Sequence, residues 1–163
     1  MASGKSSIVR TLAKKLNVQF VDLDNFIEEN EQQTISEIFK NKGEVYFRNK
    51  EEIYLKELLK SDGNSVISLG GGTPCYGNNM KLILRGSISI YLNASIITIF
   101  KRLKKESLQR PLVAAIGQDN LKDYIAKHLF ERKTFYVMAR NIISVNGKEI
   151  DIVSEEILNI LKK

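Results

Sequence analysis

Apolar residues fall at Ile8, Val9, Leu12, Ala13 and Leu16, three and four apart, so the chain opens on an amphipathic helix that starts at about Lys5. "VQFVDLD" (18–24) reads as a short strand. Thr34 and Glu37 have the spacing of a capping box ahead of Ile35, Ile38 and Phe39. Gly43 then interrupts, and 44–60 reads as a long helix. "SVISL" (65–69) predicts a strand running into Gly70, Gly71 and Gly72. A helix is expected over 78–85 and a strand in "SISIYL" (87–92). Another helix is expected over 95–105, with Ile96, Ile97, Phe100 and Leu103 inward. Residues 106–118 carry no regular pattern, then a helix spans about 119–138. "NIISV" (141–145) predicts a last strand, and Ser154 is expected to cap a final helix. Strands alternating with helices predict an α/β fold with a parallel sheet. An irregular stretch as long as 106–118 is unusual in a compact domain, so it is expected to be functional.

Composition narrows the class. With 163 residues, 43% hydrophobic and 27% charged, the chain is expected to be one globular domain with a sizeable core. No apolar run approaches the roughly 18 residues of a membrane span. The lone cysteine, Cys75, fits a reducing compartment, here the cytoplasm, and forms no metal cluster. The net charge of +6 is spread along the chain. Pairs such as Lys14-Lys15, Lys104-Lys105 and Lys162-Lys163 read as solvated faces. Aromatic-basic interleaving of the single-strand-binding kind is missing, so no nucleic-acid partner is expected. His128, the single histidine, has no second ligand near it in sequence and reads as an ordinary helix residue.

Several positions carry chemistry. Gly4-Lys5-Ser6 is the end of a phosphate-binding loop, placed at a helix start where backbone N–H groups and the helix dipole favour phosphate. In such a loop Lys5 reaches the β- and γ-phosphates and the Ser6 hydroxyl ligates Mg²⁺. Asp22 and Asp24 close the next strand, where parallel α/β sheets bind ligands. One could assist Mg²⁺ through water and the other accept a hydroxyl proton; alternatively, Asp24 is simply an N-cap for 25–30. Arg48, Glu51 and Glu52 lie three and four apart on a helix, either as an exposed ion pair or as an arginine aimed at an anion and steadied by Glu51. Three consecutive glycines suggest that backbone must approach a ligand closely. Arg132 shares a face with Leu121, Ile125, Leu129 and Tyr136, so it either snorkels or faces a pocket. Arg110-Pro111 sits in the irregular segment.

Taken in order, G-K-S, "DLD", "ISEIF...GEVYFR", "VISLGGG", "RPL" and "ER...Y...A" resemble shikimate kinase over nearly the whole chain. The resemblance implies a P-loop fold of the nucleoside-monophosphate-kinase kind. That is a three-layer α/β/α domain with a five-stranded parallel sheet in the order 2-3-1-4-5. It further implies a substrate-binding helical part at about 25–60 and a lid at about 106–118. The implied activity is transfer of the γ-phosphoryl of MgATP to the 3-hydroxyl of shikimate, toward chorismate and the aromatic amino acids, by a cytoplasmic monomer without nucleic-acid or membrane partners. By position, Gly4, Lys5, Ser6 and Ser7 resemble the phosphate loop, with Ser6 and Asp22 serving Mg²⁺. Asp24 resembles the base that also binds shikimate hydroxyls. Arg48 and Arg132 resemble the grip on the shikimate carboxylate, with Glu51 in support. Gly70, Gly71 and Gly72 resemble the wall of the substrate pocket. Arg110 resembles the lid arginine and Arg102 the arginine stacked on adenine. Two other readings remain at this point: another small-molecule kinase of the fold, gluconate-type, or a non-catalytic relative.

Some positions depart from the family pattern. Ala2 stands where glycine is usual, which a loop tolerates if φ there is negative. Ser7 replaces the commoner threonine. "NGKE" (146–149) lacks the proline-bearing adenine loop of some relatives. The implied first strand, central in the sheet, has no counterpart after Met1. About five buried apolar residues at roughly 1.5–3 kcal/mol each would supply on the order of 10 kcal/mol. The expectation is therefore that an apolar strand ending in Gly-x precedes Met1.

Overall fold

The computed structural model describes residues 2–105 and 116–162. Among them, twelve-residue helix α1 (Lys5–Leu16) leads into strand β1 (Gln19–Asp22), then α2 (Leu23–Glu31) and α3 (Ile35–Lys60). Strand β2 (Ser65–Ser68) follows, then a 3₁₀ turn (Thr73–Cys75) and α4 (Asn79–Gly86). The remainder is β3 (Ile90–Asn93), α5 (Ile96–Lys105), α6 (Gln118–Tyr136), β4 (Asn141–Ser144) and α7 (Ile150–Leu161). The α/β alternation expected from the pattern is present.

The strands pair in two parallel sets. β1 runs beside β2, with Asp22 opposite Ser68, and β3 runs beside β4, with Ile90 opposite Asn141. The pairs do not hydrogen-bond to each other. A cavity of about 900 Å³ lies between them, lined by Val66 and Ile67 of β2, Ile90 and Leu92 of β3, and Leu12 of α1.

Two apolar cores flank this axis. One gathers Ile8 and Leu12 of α1, Ile99 and Leu103 of α5, Leu121 and Ile125 of α6, Ile143 of β4 and Ile157 of α7. The other gathers Leu23 and Ile27 of α2, Ile38, Phe47 and Leu55 of α3, and Met80 and Ile83 of α4. The first core seats the phosphate loop, and the second holds α2 and α3 against the end of β2.

The capping box forms as expected. The Thr34 hydroxyl accepts from the Glu37 N–H at 3.2 Å, and the Glu37 carboxylate accepts from the Thr34 N–H at 2.8 Å. Gly43 interrupts the helix without ending it: at φ 81° and ψ 172° it puts a kink inside one element that runs on to Lys60. A positive φ of this kind costs glycine nothing.

Two expectations are corrected. On α5 Leu103, 1% exposed, and the partly buried Phe100 face the core as expected, joined by Ile99 at 2%, while Ile97 is 64% exposed and Ile96 also faces out. Ile97 lies roughly half a turn around the helix from Ile99, and Ile96 stands at the open first end of α5. Ser154 does not cap the last helix. Glu149 occupies that position, and Ser154 is buried inside α7, where its hydroxyl donates to the Ile150 carbonyl at 2.8 Å. Arg110 and most of the segment 106–118 lie outside the described residues. No described helix is long and apolar enough to cross a membrane.

Candidate active site

Gly4 caps α1 with φ 82°, a left-handed conformation that glycine adopts freely. A Cβ on Gly4 would stand 3.3 Å from Nη1 of Arg102, so that guanidinium lies directly over the loop. Arg102 donates to the Ala2 carbonyl at 3.2 Å and to the Val145 carbonyl at 3.5 Å. Ala2 itself has φ 42°, so the condition under which a loop tolerates a residue other than glycine there is not met. Ser6 and Ser7, in the first turn of α1, are exposed. The β4–α7 connection is tied down without a proline: Asn146 Oδ1 accepts from the Ser95 N–H and the Thr98 hydroxyl, both at 2.8 Å.

The Lys5 ammonium reaches forward to the ends of β1 and β2. It donates to the Ser68 hydroxyl and lies 3.7 Å from Asp22 Oδ2. Ser68 in turn donates to Asp22 Oδ2 at 2.8 Å. Asp22 also caps α2, accepting from the Asp24 N–H at 3.1 Å. Asp22 therefore holds the N-cap position that the sequence allowed for Asp24, and the Asp24 side chain is left to face the glycine turn. Burial raises the Asp24 carboxyl above its ordinary value of 3.8. The negative charge of Asp22 pushes the same way, and the Lys5 ammonium partly opposes both.

The glycine turn is where the three remaining candidates meet. A Cβ on Gly70 would come within 3.0 Å of Asp24 Oδ1. On Gly71 it would stand 3.3 Å from both Arg132 Nη1 and the Tyr136 hydroxyl. On Gly72 it would stand 3.1 Å from both Nη1 and Nη2 of Arg48. None of the three has a positive φ. Glycine suits these positions because three candidate side chains press on them, not because the chain turns left-handed there.

Each arginine is braced. Arg48 Nη1 donates to Glu51 Oε2 at 2.8 Å, and Glu51 is 1% exposed, so this is no loose surface pair. Arg48 Nε and Nη2 both reach Glu44 Oε1 at 3.3 Å, and the guanidinium lies 3.9 Å from the centre of the Tyr76 ring. Glu52 makes no bond to Arg48: it accepts from Lys56 at 2.6 Å. Across the turn, the Tyr136 hydroxyl donates to the Gly71 carbonyl at 2.6 Å, and the Arg132 guanidinium lies against the same glycine. Cys75 is half-buried nearby, and burial pushes its thiol up.

The structure thus brings Lys5, Asp22, Asp24, Arg48, Glu51, Gly70, Gly71, Gly72 and Arg132 around the ends of β1 and β2, with Arg102 over the loop. Ser68, Thr73, Glu44 and Tyr76 were not foreseen. None of the four was marked by the sequence pattern: Ser68 is one of two serines that bound Val66 and Ile67 in β2. His128 lies half-buried on α6, edge-on to the Tyr124 ring, as an ordinary helix residue.

Comparison with known proteins agrees with this geometry. The model of the shikimate kinase family matches residues 1–162. A shikimate kinase of Flavobacterium johnsoniae is 44% identical over 162 residues, covering 99% of this chain and 94% of that protein. The crystal structure of shikimate kinase from Bacteroides thetaiotaomicron superposes with a TM-score of 0.91 at 34% identity, covering 100% of this chain and 94% of the other. Shikimate kinase from Acinetobacter baumannii, solved in complex with shikimate, superposes with a TM-score of 0.85 at 28% identity, covering 99% of this chain and 88% of that one.

Proposed function

The chain belongs to the shikimate kinase family, and we propose that it transfers the γ-phosphoryl of ATP to the 3-hydroxyl of shikimate with Asp24 as the base. The supporting observation is the glycine turn, which gathers one raised carboxyl and two braced guanidiniums within contact of three successive backbone positions. A carboxylic acid carrying several hydroxyls suits that set: the guanidiniums take the planar carboxylate and Asp24 takes a hydroxyl.

The steps follow from positions. Phosphoryl transfer needs alignment and charge neutralisation more than covalent chemistry. The N–H groups at the start of α1 and the Lys5 ammonium hold the nucleotide phosphates, while Arg102 covers the loop on the adenine side. Arg48 and Arg132 fix the acceptor by its carboxylate, which turns its hydroxyl toward Asp24. Asp24 Oδ accepts the hydroxyl proton as the oxygen–phosphorus bond forms and ADP leaves. The raised pKa makes Asp24 a better proton acceptor than an ordinary aspartate.

The residues present also fit Mg²⁺. The Ser6 hydroxyl and the Asp22 carboxylate are hard oxygen donors beside the loop, the ligand type this ion prefers alongside water and phosphate. When bound, Mg²⁺ would neutralise charge on the β- and γ-phosphate oxygens. Arg110, which lies outside the described residues, completes the proposal as a cation over the transferring group, carried by a lid at about 106–118. The reading extends to a monomer in the cytoplasm, acting on small molecules alone; a single half-buried thiol fits a reducing compartment.

The test is ADP release coupled to NADH oxidation, with shikimate, gluconate or no acceptor. Turnover with shikimate alone is expected. Equal rates with gluconate, or none with shikimate, would overturn the reading.

A further inference from the structure

Arg48 can grip a carboxylate only if its donors are not all spent on its own acids. A guanidinium carries five N–H groups. Three are engaged: Nε and Nη2 on Glu44, and Nη1 on Glu51. One N–H therefore remains on each Nη nitrogen for the substrate carboxylate to accept. Glu51 could remove that pair. Its carboxylate has two oxygens and is 1% exposed, so an oxygen without a donor would be costly and would turn toward the nearest cation.

What prevents this is Thr73, the residue directly after the glycines. It is fully buried, and its hydroxyl donates to Glu51 Oε1 at 2.7 Å while Arg48 holds Oε2. Thr73 is itself fixed. Its N–H donates to the Gly70 carbonyl at 3.2 Å, and its own carbonyl accepts from Nδ2 of buried Asn79 at 2.9 Å. The path from Asn79 through Thr73 and Glu51 to Arg48 joins the start of α4, the 3₁₀ turn and α3, three elements that meet at the pocket wall.

We infer that Thr73 is a positioning residue for acid recognition: by occupying one oxygen of Glu51 it keeps Glu51 singly bonded to Arg48 and leaves Arg48 a two-pronged fork for the carboxylate of the substrate. This deepens the proposed function and rests on it. The role concerns affinity for the acid group, not the proton transfer at Asp24, so it predicts an effect on KM separate from kcat.

The experiment compares the parent with Thr73→Val, which keeps shape and removes the donor, Thr73→Cys, which leaves a weak donor, and Thr73→Ser, which keeps the hydroxyl. Shikimate and its methyl ester are titrated as acceptors, and thermal unfolding is recorded alongside. In Thr73→Val the KM for shikimate is expected to rise about tenfold, the value of one good hydrogen bond, with kcat within twofold. Thr73→Cys should show a smaller rise and Thr73→Ser should match the parent. The ester, which lacks the anionic carboxylate, should lose little, so preference for acid over ester narrows. Should Thr73→Val fail to fold, the Cys–Ser pair carries the same comparison. An unchanged KM in the donor-poor variants, equal losses for acid and ester, or a Ser variant as impaired as the others would overturn the inference. A parent that does not phosphorylate shikimate would instead overturn the function it rests on.

Discussion

The backbone of Gly72 lies against the guanidinium of Arg48 so closely that a Cβ would stand 3.1 Å from both Nη1 and Nη2. Gly70 has the same relation to Asp24, at 3.0 Å from Oδ1. These contacts are tighter than ordinary van der Waals packing, so an added methyl must move the facing side chain. The consequences should differ by position. Gly72→Ala displaces the carboxylate grip and should raise the shikimate KM by about tenfold or more with kcat largely kept. Gly70→Ala displaces the base and, with its Cβ 3.2 Å from Thr73 Oγ1, also presses on the support of Arg48, so it should lower kcat strongly and raise KM as well. Steady-state kinetics of the two variants would show the difference; an unchanged kcat in Gly70→Ala, or a large fall in kcat in Gly72→Ala, would contradict the division of labour along the turn.

Asp24→Asn keeps size and most hydrogen bonds but cannot take a proton. A fall in kcat of about 10²-fold or more is expected, the usual worth of a positioned general base, with a smaller effect on shikimate affinity. A variant that retained more than half the parent kcat would remove Asp24 from the chemistry.

The pH dependence follows from the same carboxyl. The base must be ionised to act, and its pKa in the folded protein is raised above 3.8 by burial and by Asp22. Activity should therefore be full above the raised value and fall as pH drops through it, so the acid limb of kcat lies above the range of an ordinary aspartate. Asp22→Asn removes the like charge, and the limb should move to lower pH even as overall activity declines. An acid limb that stays in place in Asp22→Asn would assign it to another group.

Arg48→Ala and Arg132→Ala should each raise the shikimate KM, because the acid group is held before the transition state is reached. Arg48→Lys should recover only part of the loss. An ammonium can neither span Glu44 and Glu51 nor offer a planar fork, and it would stack less well on Tyr76. Isothermal titration with shikimate checks this without turnover.

The pattern of residues carried the helices and strands well where burial is one-sided. On α1, Ile8, Val9, Leu12 and Ala13 are all buried, as their spacing predicts. It failed on α5 because Ile96 and Ile97 precede the core stripe, and at Ser154 because a buried serine bonding back to its own helix has the same sequence signature as a cap. The charged site residues were legible because charge and glycine stand out in short motifs. Thr73, Ser68 and Tyr76 were not, since their partners lie far away in sequence: Thr73 meets Glu51 across 22 residues and Ser68 meets Asp22 across 46. The pairing of β1 with β2 brings Ser68 to Asp22, and the folding of α3 onto the turn after β2 brings Thr73 and Tyr76 to their partners.

Glu31 extends the argument to stability. Its side chain is only 6% exposed at the end of α2, and it accepts from Tyr46 at 2.6 Å and Tyr54 at 2.8 Å, with Lys50 at 2.7 Å and Lys42 at 3.4 Å. These partners, Lys50 first and Tyr46 next, lower its carboxyl from 4.5 to about 2. All of them lie on α3, so Glu31 fastens the helix that begins beside Asp24 to the helix that carries Arg48. The sign follows from the depressed value. The folded protein holds Glu31 ionised more strongly than the unfolded chain does, so its contribution is fully present above about pH 4.5 and is lost as pH falls from there toward 2. Glu31→Gln keeps the shape and one acceptor oxygen but not the charge. Breaking a buried pair costs about 3–5 kcal/mol, and less here because both lysines are about a third exposed. At roughly 2–4 °C per kcal/mol for a chain of this length, the variant should melt several degrees below the parent at pH 7. The gap should narrow as both are titrated below pH 4.5, where the parent gives up the same interaction. Melting curves across that range decide it: a gap that stays constant down to pH 3 would mean that packing, and not the charge on Glu31, holds the two helices together.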